Sequence, residues 1–221
     1  SADAAGYVRD GRKIRLEIPQ TSKNHVKAMR LTVVSDDIIR VEATPDDAIP
    51  TKRKSLVVVN REGKYKADVK EDSQNLIVET AKLKVTVDKN NGRVTFFDKT
   101  TGKVLLKEAN GSKTFTKYIS NQTELPENYR PTSPDEVNWG KTTDLNKLSL
   151  DDRSGYSWNV VFDSPADEAF YGLGQHQSEE MNYKGRNEEL FQYNTKVSIP
   201  FVVSNKNYGI LWDSYSYGRW G

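Results

Sequence analysis

Lys13-Ile14-Arg15-Leu16-Glu17-Ile18 puts three aliphatic side chains on one side of an extended backbone and three charged ones on the other. Successive side chains of a strand point to opposite faces, so this period of two predicts a half-buried strand. Met29-Arg30-Leu31-Thr32-Val33 repeats the pattern, and Ile39-Arg40-Val41-Glu42-Ala43 follows after Asp36-Asp37, which predicts two antiparallel strands joined by a tight turn. Further strands are predicted at Leu56–Val59, Tyr65–Lys70, Leu76–Thr80 and Leu83–Asp88. Asn90-Asn91-Gly92 marks a hairpin before Arg93–Asp98, because Asn and Gly tolerate the positive φ of a tight turn. Thr100-Thr101-Gly102 then leads into Lys103–Leu106. Order resumes at Ser157–Asp163, Glu189–Tyr193, Ile199–Ser204 and Gly209–Trp212. Short strands with few helical stretches predict an all-β chain, an antiparallel β-sandwich.

The 221 residues suffice to bury a core in one large β domain or two small ones. Lys plus Arg (33) nearly balance Asp plus Glu (31), so no electrostatic footprint for nucleic acid or an acidic membrane follows. The densest basic run, Lys52-Arg53-Lys54, reads as a solvated loop. With no cysteine there is neither a disulfide framework nor a thiolate metal site. No apolar run approaches the roughly twenty residues of a helical membrane span. Ser1-Ala2-Asp3-Ala4-Ala5 resembles the start of a mature chain after signal-peptide removal, which favours export to a bacterial periplasm or cell surface over the cytoplasm.

Residues 121–155 break the pattern. Pro126, Pro131 and Pro134 stand in a mixture of Asn, Asp, Lys and Gly, which predicts an irregular excursion with Trp139 as its one large apolar anchor. The last residues, Ser214-Tyr215-Ser216-Tyr217-Gly218-Arg219-Trp220-Gly221, carry three aromatics without a solvating charge run and are expected to continue into something that buries them.

The most unusual stretch is Glu168-Ala169-Phe170-Tyr171-Gly172-Leu173-Gly174-Gln175-His176-Gln177. Two glycines two residues apart permit positive φ or close approach of another strand, so the polar residues after them are presented at a strand end. The third glycine of a dinucleotide fingerprint is missing, as is the Gly-Lys-Ser/Thr of a phosphate loop.

That stretch, with Tyr193-Asn194-Thr195, Ile199-Pro200-Phe201 and Asn207-Tyr208-Gly209-Ile210-Leu211-Trp212-Asp213, resembles the N-terminal domain of glycoside hydrolase family 31. Within the family it is most similar to bacterial α-xylosidases that act on xyloglucan fragments. The resemblance implies a galactose-mutarotase-like supersandwich across residues 1–221, as the N-terminal domain of a larger glycosidase. It also implies that both catalytic aspartates lie on a (β/α)8 barrel following this domain. No alternation of strands and helices over the roughly 250 residues of such a barrel exists here, so the catalytic carboxylates and the barrel are expected to be absent from this chain. The parent would cleave α-xylose with retention, through a covalent glycosyl-enzyme intermediate and without a cofactor. Its xyloglucan-active relatives carry an inserted PA14-type domain soon after a segment like Leu211–Ser216.

The resemblance further implies that a loop of this domain, here Gln192-Tyr193-Asn194-Thr195-Lys196, reaches the barrel's active site. Tyr193, Asn194 and Thr195 are the substrate-facing candidates, since amide and hydroxyl groups suit sugar hydroxyls. A turn-stabilising role for Asn194 and Thr195 is the competing assignment. Starch-active relatives have a longer loop with an aspartate, and this departure speaks against a maltose-type leaving group. Gln175 and His176 read as a buried network at the sandwich-to-barrel interface, ahead of direct substrate contact. Two histidines in all, His25 and His176, speak against a metal site. Glu179-Glu180 is the only acidic pair in a suggestive place, and adjacent side chains point apart. A stand-alone carbohydrate-binding sandwich is the alternative function, drawing on eleven tyrosines and four tryptophans. An aldose epimerase would need a carboxylate base and a histidine acid, and neither histidine has a convincing partner in sequence.

Overall fold

The computed structural model describes residues 6–20, 25–50, 55–59, 63–119, 154–177, 179–192, 195–214 and 217–221. Most of the 121–155 excursion with Trp139, the triplet Lys52-Arg53-Lys54, the first five residues, and Tyr193 and Asn194 lie outside them. Ser154 and Gly155 already belong to a strand, so the excursion ends earlier than expected.

Among the described residues there are strands and no helix. The first sheet runs in sequence order through β1 (Tyr7–Asp10), β2 (Lys13–Glu17), β3 (Ala28–Ser35) and β4 (Ile38–Thr44). Ser35 pairs with Ile38, so Asp36-Asp37 is the two-residue turn that the sequence announced. The second sheet is built from β5 (Asp68–Glu71), β6 (Asn75–Glu79), β7 (Leu83–Asp88), β8 (Val94–Asp98) and β9 (Val104–Glu108). The short β12 (Phe162–Asp163) closes its edge on β9, after the ribbon β10 (Thr114–Ile119) and β11 (Ser154–Asn159). Gly92, at φ 74°, lets the β7–β8 turn close with its N–H on the Asp88 carbonyl.

Between these two sheets lies the larger core. Ile14 and Leu16 of β2 and Met29, Leu31 and Val33 of β3 meet Leu76, Val78, Val85, Val87 and Val94 of the facing sheet. Each such side chain withdrawn from water stabilises the fold by about 1.5–3 kcal/mol before entropy is counted. One ion pair lies at its margin. Glu108 accepts hydrogen bonds from Lys113, Ser112 Oγ (3.1 Å) and the Val94 N–H (3.2 Å), and Lys113 also donates to the Gly92 carbonyl at 2.8 Å. Burial pushes the Lys113 ammonium below its ordinary pKa range, and the Glu108 carboxylate partly offsets that.

The C-terminal part forms a second unit of packing. A three-stranded sheet takes the order β13 (Phe170–Gln175), β15 (Val197–Ser204), β16 (Tyr208–Leu211), and a ribbon pairs β14 (Glu188–Leu190) with β17 (Gly218–Trp220). Its core is Phe170, Leu173, Tyr183 and Val202, with Tyr208, Trp212 and Trp220 packed around it. Trp220 meets Phe170 edge-on at 5.1 Å and Trp212 at 5.4 Å. The aromatic end of the chain, expected to be buried by something further on, therefore places Trp220 within this chain's own core; Tyr217 stays exposed.

Four expectations need correction. Ser157–Asp163 is not one strand but divides between β11, which ends at Asn159, and β12 in another sheet, and Glu189–Tyr193 is strand only as far as Leu190 among the described residues. Leu56–Val59 forms no strand, and all four side chains are exposed, because these consecutive apolar residues have no alternation to seat on either sheet. Tyr65–Lys70 is a strand only from Asp68, and β1, β10 and β17 were not anticipated.

Candidate functional site

The glycine motif lies in β13, against β15. The register between these strands shifts between Gly172 and Gly174. Gly172 has φ 119°, Leu173 φ 64° and Gly174 φ 100°. A Cβ at Gly174 would lie 2.1 Å from the Val197 carbonyl oxygen, and one at Gly172 would lie 2.7 Å from that of Phe201. Both properties inferred for the glycines, positive φ and close strand approach, are thus in use at once. The bulge turns Leu173 fully into the second core, while Gln175 and His176 emerge at the strand end.

Those two residues part company there. Gln175 pairs with Val197 and is exposed. The His176 side chain is only 3% exposed. It folds back so that Nε2–H donates to the Leu173 carbonyl at 2.6 Å, and Tyr183 packs edge-on against the ring at 5.9 Å. Its Nδ1 stands 3.2 Å from Glu188 Oε1, off the line of a hydrogen bond. Lys196 donates to the same Glu188 carboxylate and, at 2.6 Å, to the Glu189 carbonyl. A buried polar cluster of His176, Glu188 and Lys196 therefore ties the end of β13 to β14 and to the start of β15. Lys196 adjoins Thr195, which is exposed, so the cluster fixes the base of the segment that carries the substrate-facing candidates.

A second buried carboxylate sits at the other end of the same strands. Glu168 accepts hydrogen bonds from Ser164 Oγ (2.6 Å), Ser204 Oγ (2.5 Å) and Tyr208 OH (2.5 Å). Burial first and Glu168 second push the Tyr208 phenol well above its ordinary pKa. Glu168 opened the quoted motif, but two of its three partners, Ser204 and Tyr208, come 36 and 40 residues later, and only Ser164 is close to it in sequence. Glu188, Tyr183 and Lys196 follow His176 at closer range, but no periodicity in their own stretches marks them as its neighbours. Glu179 and Glu180 are both exposed, and Glu180 pairs with Arg186 at 2.6 Å rather than with its neighbour. Among the described residues no three His, Cys, Asp or Glu side chains gather as metal ligands would. A shallow depression lined by Glu17, Ile18, Gln20, Lys27 and Asp47 contains none of the anticipated site residues.

The motif, its bulge and the two-sheet sandwich agree with one family. The glycosyl hydrolase 31 N-terminal galactose mutarotase-like domain matches residues 28–220. The chain belongs to that family. The alpha-xylosidase of Saccharolobus solfataricus is 42% identical to it over 29% of this chain and 10% of its own length. Alpha-xylosidase A of Aspergillus niger is 31% identical over 29% of this chain and 9% of its own. The crystal structure of the GH31 alpha-xylosidase from Xanthomonas citri superposes with a TM-score of 0.74 at 32% identity, over 96% of this chain and 19% of that one. The chain thus spans about a tenth of the length of the curated relatives it matches, and as a family 31 N-terminal domain it has the galactose-mutarotase-like all-β fold.

Proposed function

We propose that this chain is the non-catalytic N-terminal domain of a family 31 α-xylosidase that acts on xyloglucan oligosaccharides, and that it supports the catalytic barrel and lends the segment Gln192–Lys196 to its active site. What carries the reading is the likeness to the Xanthomonas citri enzyme along 96% of the chain. The parent protonates the leaving oxygen with one carboxyl group and forms a glycosyl-enzyme with the other, and both carboxyls belong to the barrel. Exported from a bacterium, the enzyme would meet xyloglucan fragments outside the cytoplasm.

In this scheme the chain's own residues do positioning work. Gly172 and Gly174 bring β13 against β15, and His176, Glu188 and Lys196 lock the base of the loop. Tyr193, Asn194 and Thr195 are assigned to meet sugar hydroxyls, and Gln175 is exposed at the end of β13. Titration calorimetry of the purified chain with xyloglucan oligosaccharides, run alongside a xylose-release assay, is expected to show neither binding nor release. Release would overturn the assignment of the catalytic carboxylates to the barrel, and binding without release would favour a carbohydrate-binding module.

A further inference from the structure

The outward side of the β13-β15-β16 sheet is apolar. On β15 the alternating residues Val197, Ile199, Phe201 and Val203 point away from the second core and are 40–49% exposed. Tyr171 lies opposite Val203, and Leu211 opposite Phe201, so all six side chains form one patch across three strands. Gly209 completes it, because a Cβ there would lie 3.0 Å from the Phe201 ring. The inward side of the same sheet already has its own core around Val202. An antiparallel sheet with one solvated face carries polar residues on that face, whereas a sheet apolar on both faces is covered on both.

We propose that this outward face is where the domain docks on an apolar surface of the catalytic part of its parent polypeptide. The inference rests on the reading that such a parent exists, and adds which surface of this domain meets it. Three observations select this occupant. By register the face carries the Tyr171 hydroxyl and, at its end opposite Val197, the Gln175 carboxamide, with no charge between them, so it offers too few hydrogen-bonding groups for a glycan. It runs directly on from Lys196, the anchored base of the segment assigned to the barrel's active site, so both are addressed to the same body. The chain spans only 19% of the Xanthomonas citri chain and 10% of the Saccharolobus solfataricus enzyme, so a parent of that length has ample polypeptide to cover the face.

The test uses two separately produced polypeptides: this chain, and the part of the parent outside residues 1–221. Their association is followed by light scattering and by titration calorimetry. Ile199→Thr/Val203→Thr keeps β-branched residues in the strand and removes apolar surface; Phe201→Asp is the harsher form. Lys13→Thr, on the charged outer side of β2, is the control. The wild-type chain and the control are expected to bind equally, and the double variant at least tenfold more weakly with an unchanged circular dichroism spectrum. Equal binding by the double variant, no binding by the wild type, or a homodimer of this chain broken by the same substitutions would each overturn the proposal. Xylose release by the mixture is read separately. Release that is indifferent to the face sinks this inference and spares the functional reading, and face-dependent association without release from α-xylosides does the reverse.

Discussion

Strands β2 and β15 follow the same rule with opposite results. In β2, Ile14 and Leu16 enter the larger core, and Lys13, Arg15 and Glu17 face water. In β15, Val202 and Ser204 are buried with Ser198 and Pro200 half-buried beside them, while Val197, Ile199, Phe201 and Val203 face out. Hydrophobicity alone orients β2. By the same criterion β15 would be turned over, because a slip of one residue would bury its four largest apolar side chains. What holds β15 in its register must therefore be specific contacts. Gly172 and Gly174 admit its backbone where no Cβ fits, and the Glu168 carboxylate holds the Ser204 hydroxyl at the far end.

The contrast breaks most completely if those glycines are filled. Gly174→Ala combines a positive-φ penalty of about 1–2 kcal/mol with overlap on the Val197 carbonyl that costs about 1–3 kcal/mol to relieve. A loss of roughly 4 kcal/mol in urea unfolding is expected. Gly11→Ala, also at positive φ but with nothing near its Cβ, should cost only the first part. Equal losses at the two sites would mean that close approach does not pin β15. Next in size is Glu168→Ala, which leaves the Ser164, Ser204 and Tyr208 hydroxyls without their shared acceptor. About 2–3 kcal/mol is expected, as for hydrogen bonds to a charged group. Glu17→Ala on the solvated side of β2 should leave the unfolding midpoint almost unmoved.

The first sandwich was legible because its determinants are local. Lys13–Ile18, Met29–Val33 and the Asp36-Asp37 turn each carry their own periodicity, and Asn90-Asn91-Gly92 carries its own backbone preference. The bulge in β13 was legible in the two glycines. The polar anchors were not, because Glu168 meets Ser204 and Tyr208 across 36 and 40 residues, and the stretch between His176 and Glu188 carries no periodicity that would bring those two together. Leu56–Val59 failed for a related reason: an apolar run without alternation does not say which face, if any, will receive it. Ile199-Pro200-Phe201-Val202-Val203 gave a strand but not its facing, which the glycines and the serines decide.

A smaller effect appears only at high pH. Tyr208 is held neutral in the folded chain by burial and by Glu168, so its folded pKa lies above that of the unfolded chain. Its contribution is fully present below the unfolded value of about 10 and is lost as pH rises towards the folded value, because the unfolded chain releases the proton first. Stability should therefore fall between pH 10 and 12 more steeply in the wild type than in Tyr208→Phe. At neutral pH the variant should lose only about 1 kcal/mol, for one hydroxyl. Parallel slopes would mean that the phenol is not held in its neutral form.

The smallest effect tests the two outer faces themselves. Ile199→Thr on β15 and Lys13→Thr on β2 both place a β-branched residue on an exposed strand position, where substitutions usually change stability by less than about 0.5 kcal/mol. Unfolding should not distinguish them. Binding of an apolar fluorescent dye should, because Ile199 belongs to a continuous apolar patch and Lys13 alternates with aliphatics already sealed in the core. Dye fluorescence is expected to fall in Ile199→Thr and to stay constant in Lys13→Thr. If the dye responds to neither, the outward residues of β15 do not act as one surface, and the two strands differ only in composition. If Ile199→Thr instead loses 2 kcal/mol or more, the range of a buried aliphatic cut down in a core, then that side chain is already packed within this chain, and the reversal between β2 and β15 disappears.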